Sequence, residues 1–346
     1  MAFRIMKRWV SIAAVGLCTA GLVFASASPA AAWREPDAKG LANPGVTQRP
    51  DGRWVVHSTG SIAGHRVGLS KTTRPGGSYG VSKRQLLDKR PSWVPKNAQG
   101  VWAPSVVRSA TGQYVVFYAA RVKGTKSARC IGTGFGPKPE GPFQHSERAL
   151  ACWKKSGTNP WDKIKSEGAG FSLIDPTPAW VQGRLVLTYK TGKKTKGRWH
   201  TTTRMVELDP DDPTRTRADG HRNSIKLTDW RNKYIEENPV LVEHGGTLTL
   251  FTSRGWYGTC RYSTVYRQNK SLWTGWMKKK PKALRFATKP NTCGTGNGQV
   301  VQQAGTGRWL YFFNGHTKKS TPGGPKGLYV GELTWSNGRP RVAKLL

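Results

Sequence analysis

One hairpin pattern recurs five times along the chain, and no other feature restricts the fold as much. Each copy has a start rich in Pro or Asn-Gly, a short apolar strand and a polar Gly turn. A longer strand of alternating aromatic and β-branched residues follows. The copies run Asn43-Pro44 to Gly60, Ala103-Pro104 to Ala120, Asp175-Pro176 to Gly192, Glu237-x-Pro239 to Gly255, and Asn297-Gly298 to His316. Their starts are separated by 60, 72, 62 and 60 residues, which leaves room for two further strands per copy. Arg66 to Ser70, Thr201 to Leu208, Ser263 to Arg267 and Leu328 to Leu333 have the pattern for this. Four strands per repeat make a propeller blade, so the expected fold is all-β, a five-bladed β-propeller. A β-sandwich would fit evenly spaced strands but not matched hairpins.

Composition agrees with an all-β core. The 41 Gly and 22 Pro among 346 residues punctuate the chain too often for a helical bundle. Hydrophobic residues are only 36%, but 15 Trp, 10 Tyr and 10 Phe supply large apolar surfaces for packing. The sole long apolar run is N-terminal, which excludes a polytopic membrane protein. Arg4, Lys7 and Arg8 precede the apolar stretch Trp9 to Phe24, and Ala30-Ala31-Ala32 forms a small-residue cleavage site. Residues 1–32 therefore read as a cleaved secretory signal, and 33–346 as one propeller domain, secreted and extracellular. An uncleaved anchor is disfavoured, because the run is short and ends in Ser, Pro and Ala.

Export bears on the cysteines. Cys18 leaves with the signal, and Cys130, Cys152, Cys260 and Cys293 remain. An even count in an exported chain reads as two disulfides, with three pairings open. The local pairs Cys130–Cys152 and Cys260–Cys293 are preferred. Zinc would call for a C-x-x-C spacing that does not occur.

In a propeller the innermost strands line the central axis, and their first residues converge at one mouth. Those positions read Asn43, Ala103, Asp175, Glu237 and Asn297. Two of only 19 acids thus fall at matching starts. Paired carboxyls around a sugar-sized pocket suit glycoside hydrolysis: one protonates the leaving oxygen while a base activates water, roughly 6.5–9.5 Å away in inverting enzymes. A neighbouring carboxyl raises the acid's pKa by like-charge repulsion. The plainer alternative is that Asp175 and Glu237 cap turns or pair with Arg.

The segments Asn43-Pro44-Gly45-Val46, Val101-Trp102-Ala103-Pro104, Gly141-Pro142-Phe143, Ile174-Asp175-Pro176, Glu237-Asn238-Pro239, Gly296-Asn297-Gly298 and Asn314-Gly315-His316 resemble, in this order, glycoside hydrolase family 43. That group holds five-bladed arabinanases, xylosidases and arabinofuranosidases, and the resemblance spans about residues 41–345. It implies Glu237 as general acid and Asp175 as the acid that tunes and orients it. The family's general base is an Asp at the first-blade start, where this chain has Asn43. An amide cannot take a proton near neutral pH. The family often has a His at the fifth-blade start, where this chain has Asn297, and an Asp after W-A-P, where it has Ser105. Three readings follow: a hydrolase with water activated by another group or the substrate, a catalytically silent carbohydrate-binding propeller, or a base at Asp51 or Asp37.

Removing the signal lowers the formal +37 by three, to +34, with basic clusters at Lys190 to Arg204 and Lys278 to Arg285. These form either a footprint for an anionic polymer or solvated loops. Nucleic acid is not favoured, since no recognition motif appears and export removes most such roles. The expected partner is a polysaccharide or oligosaccharide, anionic if the charge is functional. Most Trp belong to the core, including Trp54, Trp180 and Trp309. Trp102, Asn297, His316 and Trp256 are candidates for substrate contact, with Tyr257 beside Trp256. No cofactor or metal is called for, although an axial ion stays open, and a monomer is the expected state of a closed ring.

Overall fold

The computed structural model describes residues 35–152, 171–220, 223–288, 290–317 and 324–346; the signal segment lies outside them. The regular structure of the described chain is strands in five antiparallel blades, with one 3-10 turn at Trp276–Lys278. Blade 1 comprises Gly45–Gln48, Trp54–His57, His65–Ser70 and Tyr79–Arg84. Blade 2 comprises Gly100–Arg108, Tyr114–Arg121, Arg129–Gly136 and Gln144–His145. Blade 3 comprises Ser172–Val181, Arg184–Thr195, Arg198–Glu207 and Ile225–Asn232. Blade 4 comprises Ile235–His244, Thr247–Gly255, Ser263–Asn269 and Lys282–Ala283. Blade 5 comprises Gly296–Gln302, Trp309–His316, Lys326–Ser336 and Arg339–Leu345. Each inner strand touches the next, blade 1 to 2 to 3 to 4 to 5 and back to 1, so the ring is closed. The propeller expected from the fivefold hairpin is the fold observed.

Period-two alternation explains why the second strands read as unbroken aromatic and aliphatic runs. In blade 3, Leu185, Leu187 and Tyr189 pack with Val115 and Phe117 of blade 2. The intervening Val186 packs with Leu241, Leu248 and Leu250 of blade 4. In blade 5, Tyr311 and Phe313 meet Val240 and Phe251 of blade 4, while Leu310 and Phe312 meet Trp54 and Val56 of blade 1. Both faces of every such strand are buried, so no blade can satisfy its apolar surface alone. Trp54 is core as expected. Trp180 is not: it sits at the turn end of its strand, 44% exposed, with its indole N–H on the Arg108 carbonyl at 3.1 Å.

Both expected disulfides are present, Cys130–Cys152 and Cys260–Cys293, each with Cα atoms 4.8 Å apart. The ring is closed by the two ends of the described chain. Ala38–Lys39 pairs with Leu328 and Gly327 in blade 5. The Asp37 carboxylate accepts from the Val330 N–H at 2.8 Å. Buried Asn314 takes the Asn43 N–H on Oδ1 at 2.7 Å and gives its amide hydrogens to the Leu41 and Gly327 carbonyls at 2.8 and 3.3 Å. Substituting Asn314→Ala leaves three backbone groups without that partner. The expected loss is on the order of 3 kcal/mol, read as a lower denaturant midpoint with an unchanged slope.

Candidate active site at the mouth of the ring

The inner strands begin with a shared backbone device. Asn43, Ala103, Asp175, Asn238 and Asn297 all have positive φ, between 44° and 55°. In blades 2 to 5 the strand pairing slips at this point. Asn and Asp tolerate the left-handed region better than other non-Gly residues, which accounts for four of the five. Blade 4 corrects the sequence reading by one place: the residue equivalent to Asp175 is Asn238, and Glu237 precedes it. The E-x-P spacing differs from D-P for this reason.

These five positions do converge. Residues from all five starts, among them Asn43, Ala103, Pro176, Asn238 and Gly298, line an axial cavity of about 10 Å³ just beneath the mouth. Side-chain hydrogen bonds tie together four of the five pairs of neighbouring starts, from blade 3 through 4, 5 and 1 to blade 2. Asp175 Oδ2 accepts from the Asn238 N–H at 3.0 Å, and Asn238 Nδ2 donates to the Gly298 carbonyl at 2.8 Å. Asn297 Nδ2 donates to Asn43 Oδ1 at 2.6 Å, and Asn43 Nδ2 to Thr59 Oγ1 at 2.9 Å. The Thr59 hydroxyl also accepts from the Ala103 N–H at 3.1 Å. Asp175 thus does what its repeat equivalents do, and differs from them in carrying a charge.

Glu237 is buried at the same mouth. Its Oε2 takes a hydrogen bond from Lys190 Nζ at 3.0 Å, and the Tyr262 hydroxyl lies 2.9 Å from its Oε1. Tyr262 also hydrogen-bonds Asn297 Oδ1. A phenol has one hydrogen for two acceptors. If it serves Asn297, a protonated Glu237 carboxyl completes a head-to-tail chain through Tyr262, Asn297 and Asn43 to Thr59. Burial, and then the Glu237 charge, push the Asp175 carboxyl up to about 7, against a lowering by Lys190 and the Asn238 N–H. Like-charge repulsion in a dry site disfavours the ionised form of Asp175, which keeps its proton close to neutrality.

Glu236, the neighbour that could be mistaken for the acid, faces the other way. Arg254 and Arg267 bind it at 2.7 and 2.6 Å, with Thr252 at 2.8 Å. Neither alternative base is at the mouth. Asp51 lies in the far hairpin turn between Arg49 and Arg53, and Asp37 is held in the closing strand. Among the described residues the mouth carries two carboxyls, Asp175 and Glu237; Asp162 and Glu167 fall outside them. His57 is a packed histidine: its Nε2 bonds the Pro139 carbonyl at 2.7 Å, and burial holds its pKa down to about 4. No group of three or more His, Cys, Asp or Glu suited to a metal occurs among the described residues.

Trp102, Trp256 and Tyr257 stand at the mouth edge, 41%, 39% and 47% exposed. His316 is buried, at the end of its strand opposite Lys326. Lys190, Tyr262 and Thr59 were not singled out from sequence. Lys190 has a visible signal, a cation directly after the apolar run Leu185 to Tyr189, but in sequence it reads as the first residue of a basic cluster. Arg204, the other end of that cluster, is also buried, with Nε on Ser224 Oγ at 2.9 Å. Two larger cavities, of about 620 and 630 Å³, lie away from this pair, at the outer edge of blades 4 and 5 and on the far face.

The family model for Glycosyl hydrolases family 43 matches residues 80–340. None of the curated proteins matches. Solved structures share the architecture at low identity. A thermostable family-43 glycoside hydrolase is 17% identical, with 88% of this chain and 93% of that one covered and a TM-score of 0.68. An endo-1,4-beta-xylanase from Bacteroides thetaiotaomicron is 20% identical, covering 89% and 96%, with a TM-score of 0.62. An endo-1,5-alpha-L-arabinanase from Thermotoga petrophila is 18% identical, covering 89% and 75%, with a TM-score of 0.61. With a family match across most of its length and acids gathered at the axis of five blades, the chain belongs to glycosyl hydrolases family 43.

Proposed function

We propose that the chain is an exported, monomeric glycosidase that hydrolyses O-glycosyl bonds of a polysaccharide or oligosaccharide at the axial mouth. Glu237 is the proton donor, and Asp175 is the buried neighbour that tunes and orients it. The observation that carries this reading is the Asp175–Glu237 pair, enclosed at the convergence of the blades and joined to a directional hydrogen-bond chain. Lys190 fits the second half of the step. Once Glu237 has given its proton to the leaving oxygen, the ammonium beside Oε2 stabilises the carboxylate that remains. The arabinan- and xylan-directed names of the similar structures make plant-type glycans the first substrates to try. Export follows from the signal-like residues 1–32.

Asn43 favours a second reading, a propeller that binds carbohydrate without turnover. Its amide is engaged at both ends, by Asn297 and Thr59, and it offers no base. The two readings separate on a panel of arabinans, arabinoxylans and acidic glycans assayed for released sugar. The glycosidase reading expects Glu237→Gln to lower kcat by about 10²–10⁴-fold, the usual worth of a positioned acid. Binding without release, unaffected by that substitution, sinks it.

The same chemistry sets a gain of function. In Asn43→Asp the new carboxylate still accepts from Asn297, and the Thr59 hydroxyl can turn to donate to it. The expected result is a rise in kcat of at least about tenfold, within the range of a restored base. The pH profile follows from Asp175: activity that depends on its retained proton falls as pH rises through about 7. Asp175→Asn removes that titration, so the limb near 7 is lost from the kcat profile.

A further inference from the structure

Two basic side chains at the mouth edge are enclosed without a partner. Lys326, in blade 5, has its Nζ buried with no hydrogen bond. It lies 5.1 Å from the ring centre of Tyr262 and 5.7 Å from that of Tyr257. Arg129, in blade 2, has Nε and Nη1 buried and unbonded. Its guanidinium sits 3.4 Å above the ring of Trp102. In ring order, blades 2 and 5 stand on either side of blades 3 and 4, which carry Asp175 and Glu237. The two cations thus flank the carboxyl pair, each backed by an aromatic ring on which a sugar can stack.

An ordinary surface lysine exposes its ammonium to water, whereas Lys326 Nζ and Arg129 Nε and Nη1 are buried, on residues that are half-buried overall. Burial pushes Lys326 down to about 8 against the opposing pull of Glu237, and pushes Arg129 down to about 10, with Arg121 adding repulsion. A desolvated cation without an acceptor costs several kcal/mol, and a ligand carboxylate relieves that cost. His316, opposite Lys326, has neither ring nitrogen in a well-aligned hydrogen bond; only the Thr259 carbonyl is close.

We propose that Lys326 and Arg129 are anion-binding stations of the mouth, and that the glycan held there carries uronic-acid carboxylates. This deepens the reading of the mouth as a glycan site and rests on it. Lys326, next to Tyr262 and Glu237, takes the carboxylate nearest the reacting bond. Arg129 takes a second one farther along the chain, with Trp102 under its sugar ring.

The test is titration calorimetry of the mature protein with two matched pairs. One is trigalacturonate and its methyl ester; the other is a glucuronic-acid-bearing xylotriose and its carboxyl-reduced form. The acidic member of at least one pair should bind at least tenfold more tightly. Lys326→Met and Arg129→Met should each reduce that preference severalfold, with Lys326→Arg retaining most of it. Thermal unfolding of each variant checks that it folds. The double variant Lys282→Met/Arg285→Met, which removes two charges in the outer groove of blades 4 and 5, should keep the preference. No binding, no preference in either pair, or a preference that survives both mouth substitutions overturns the proposal. Turnover of neutral glycans that needs Glu237, with no acidic preference, overturns it and leaves the glycosidase standing. Acidic preference that needs Lys326, with no turnover, upholds the subsite and removes the catalytic reading.

Discussion

Everything at the mouth depends on the side-chain hydrogen bonds that link one blade start to the next. A residue held in the left-handed region aims its short polar side chain sideways instead of along its own strand. Asp175 reaches Asn238, Asn238 reaches Gly298, Asn297 reaches Asn43, and Asn43 reaches Thr59. The apolar interfaces hold the blades together, but they are tolerant of small slides. These polar links are not, because each is short, directional and largely removed from water. They fix where Glu237 stands relative to Asp175.

Charge balance then makes the site distinct from the rest of a basic molecule. Glu236 and Glu237 are adjacent and both buried, yet strand alternation sends them to opposite surroundings. Glu236 meets two guanidiniums and a hydroxyl and is a structural anchor. Glu237 meets one ammonium, one phenol and a neighbouring carboxyl. Similar residue types thus give a fully paired ion cluster in one case and the proposed proton donor in the other.

The sequence made the architecture legible because a closed ring demands five similar answers to one packing problem. Repeated Pro starts, Gly turns and doubly buried strands are hard to hide. The cysteine pairing was legible for a related reason, since both bridges are local. The site was harder to read. Glu237 reads as equivalent to Asp175 because both are acids near a blade-start Pro, but the residue directly before that Pro is Asn238, which shares the positive φ of Asp175. Tyr262 and Thr59 carry no spacing signal; they matter through contacts with residues 25 and 16 positions away. Trp180 failed as a core residue because composition says nothing about which end of a strand a side chain occupies.

The seam between the first and last blades has a temporal consequence. Asp37, Leu41 and Asn43 contribute their halves of the seam early in synthesis, whereas Asn314, Gly327 and Val330 arrive at the end. A ribosome making this chain releases four blades' worth of strands before the fifth can join. Until then the Asn43–Asn297 link cannot form, and the circle around the acids has a gap. A product that stops short of blade 5 therefore lacks an assembled centre, and the proposed chemistry waits for that blade.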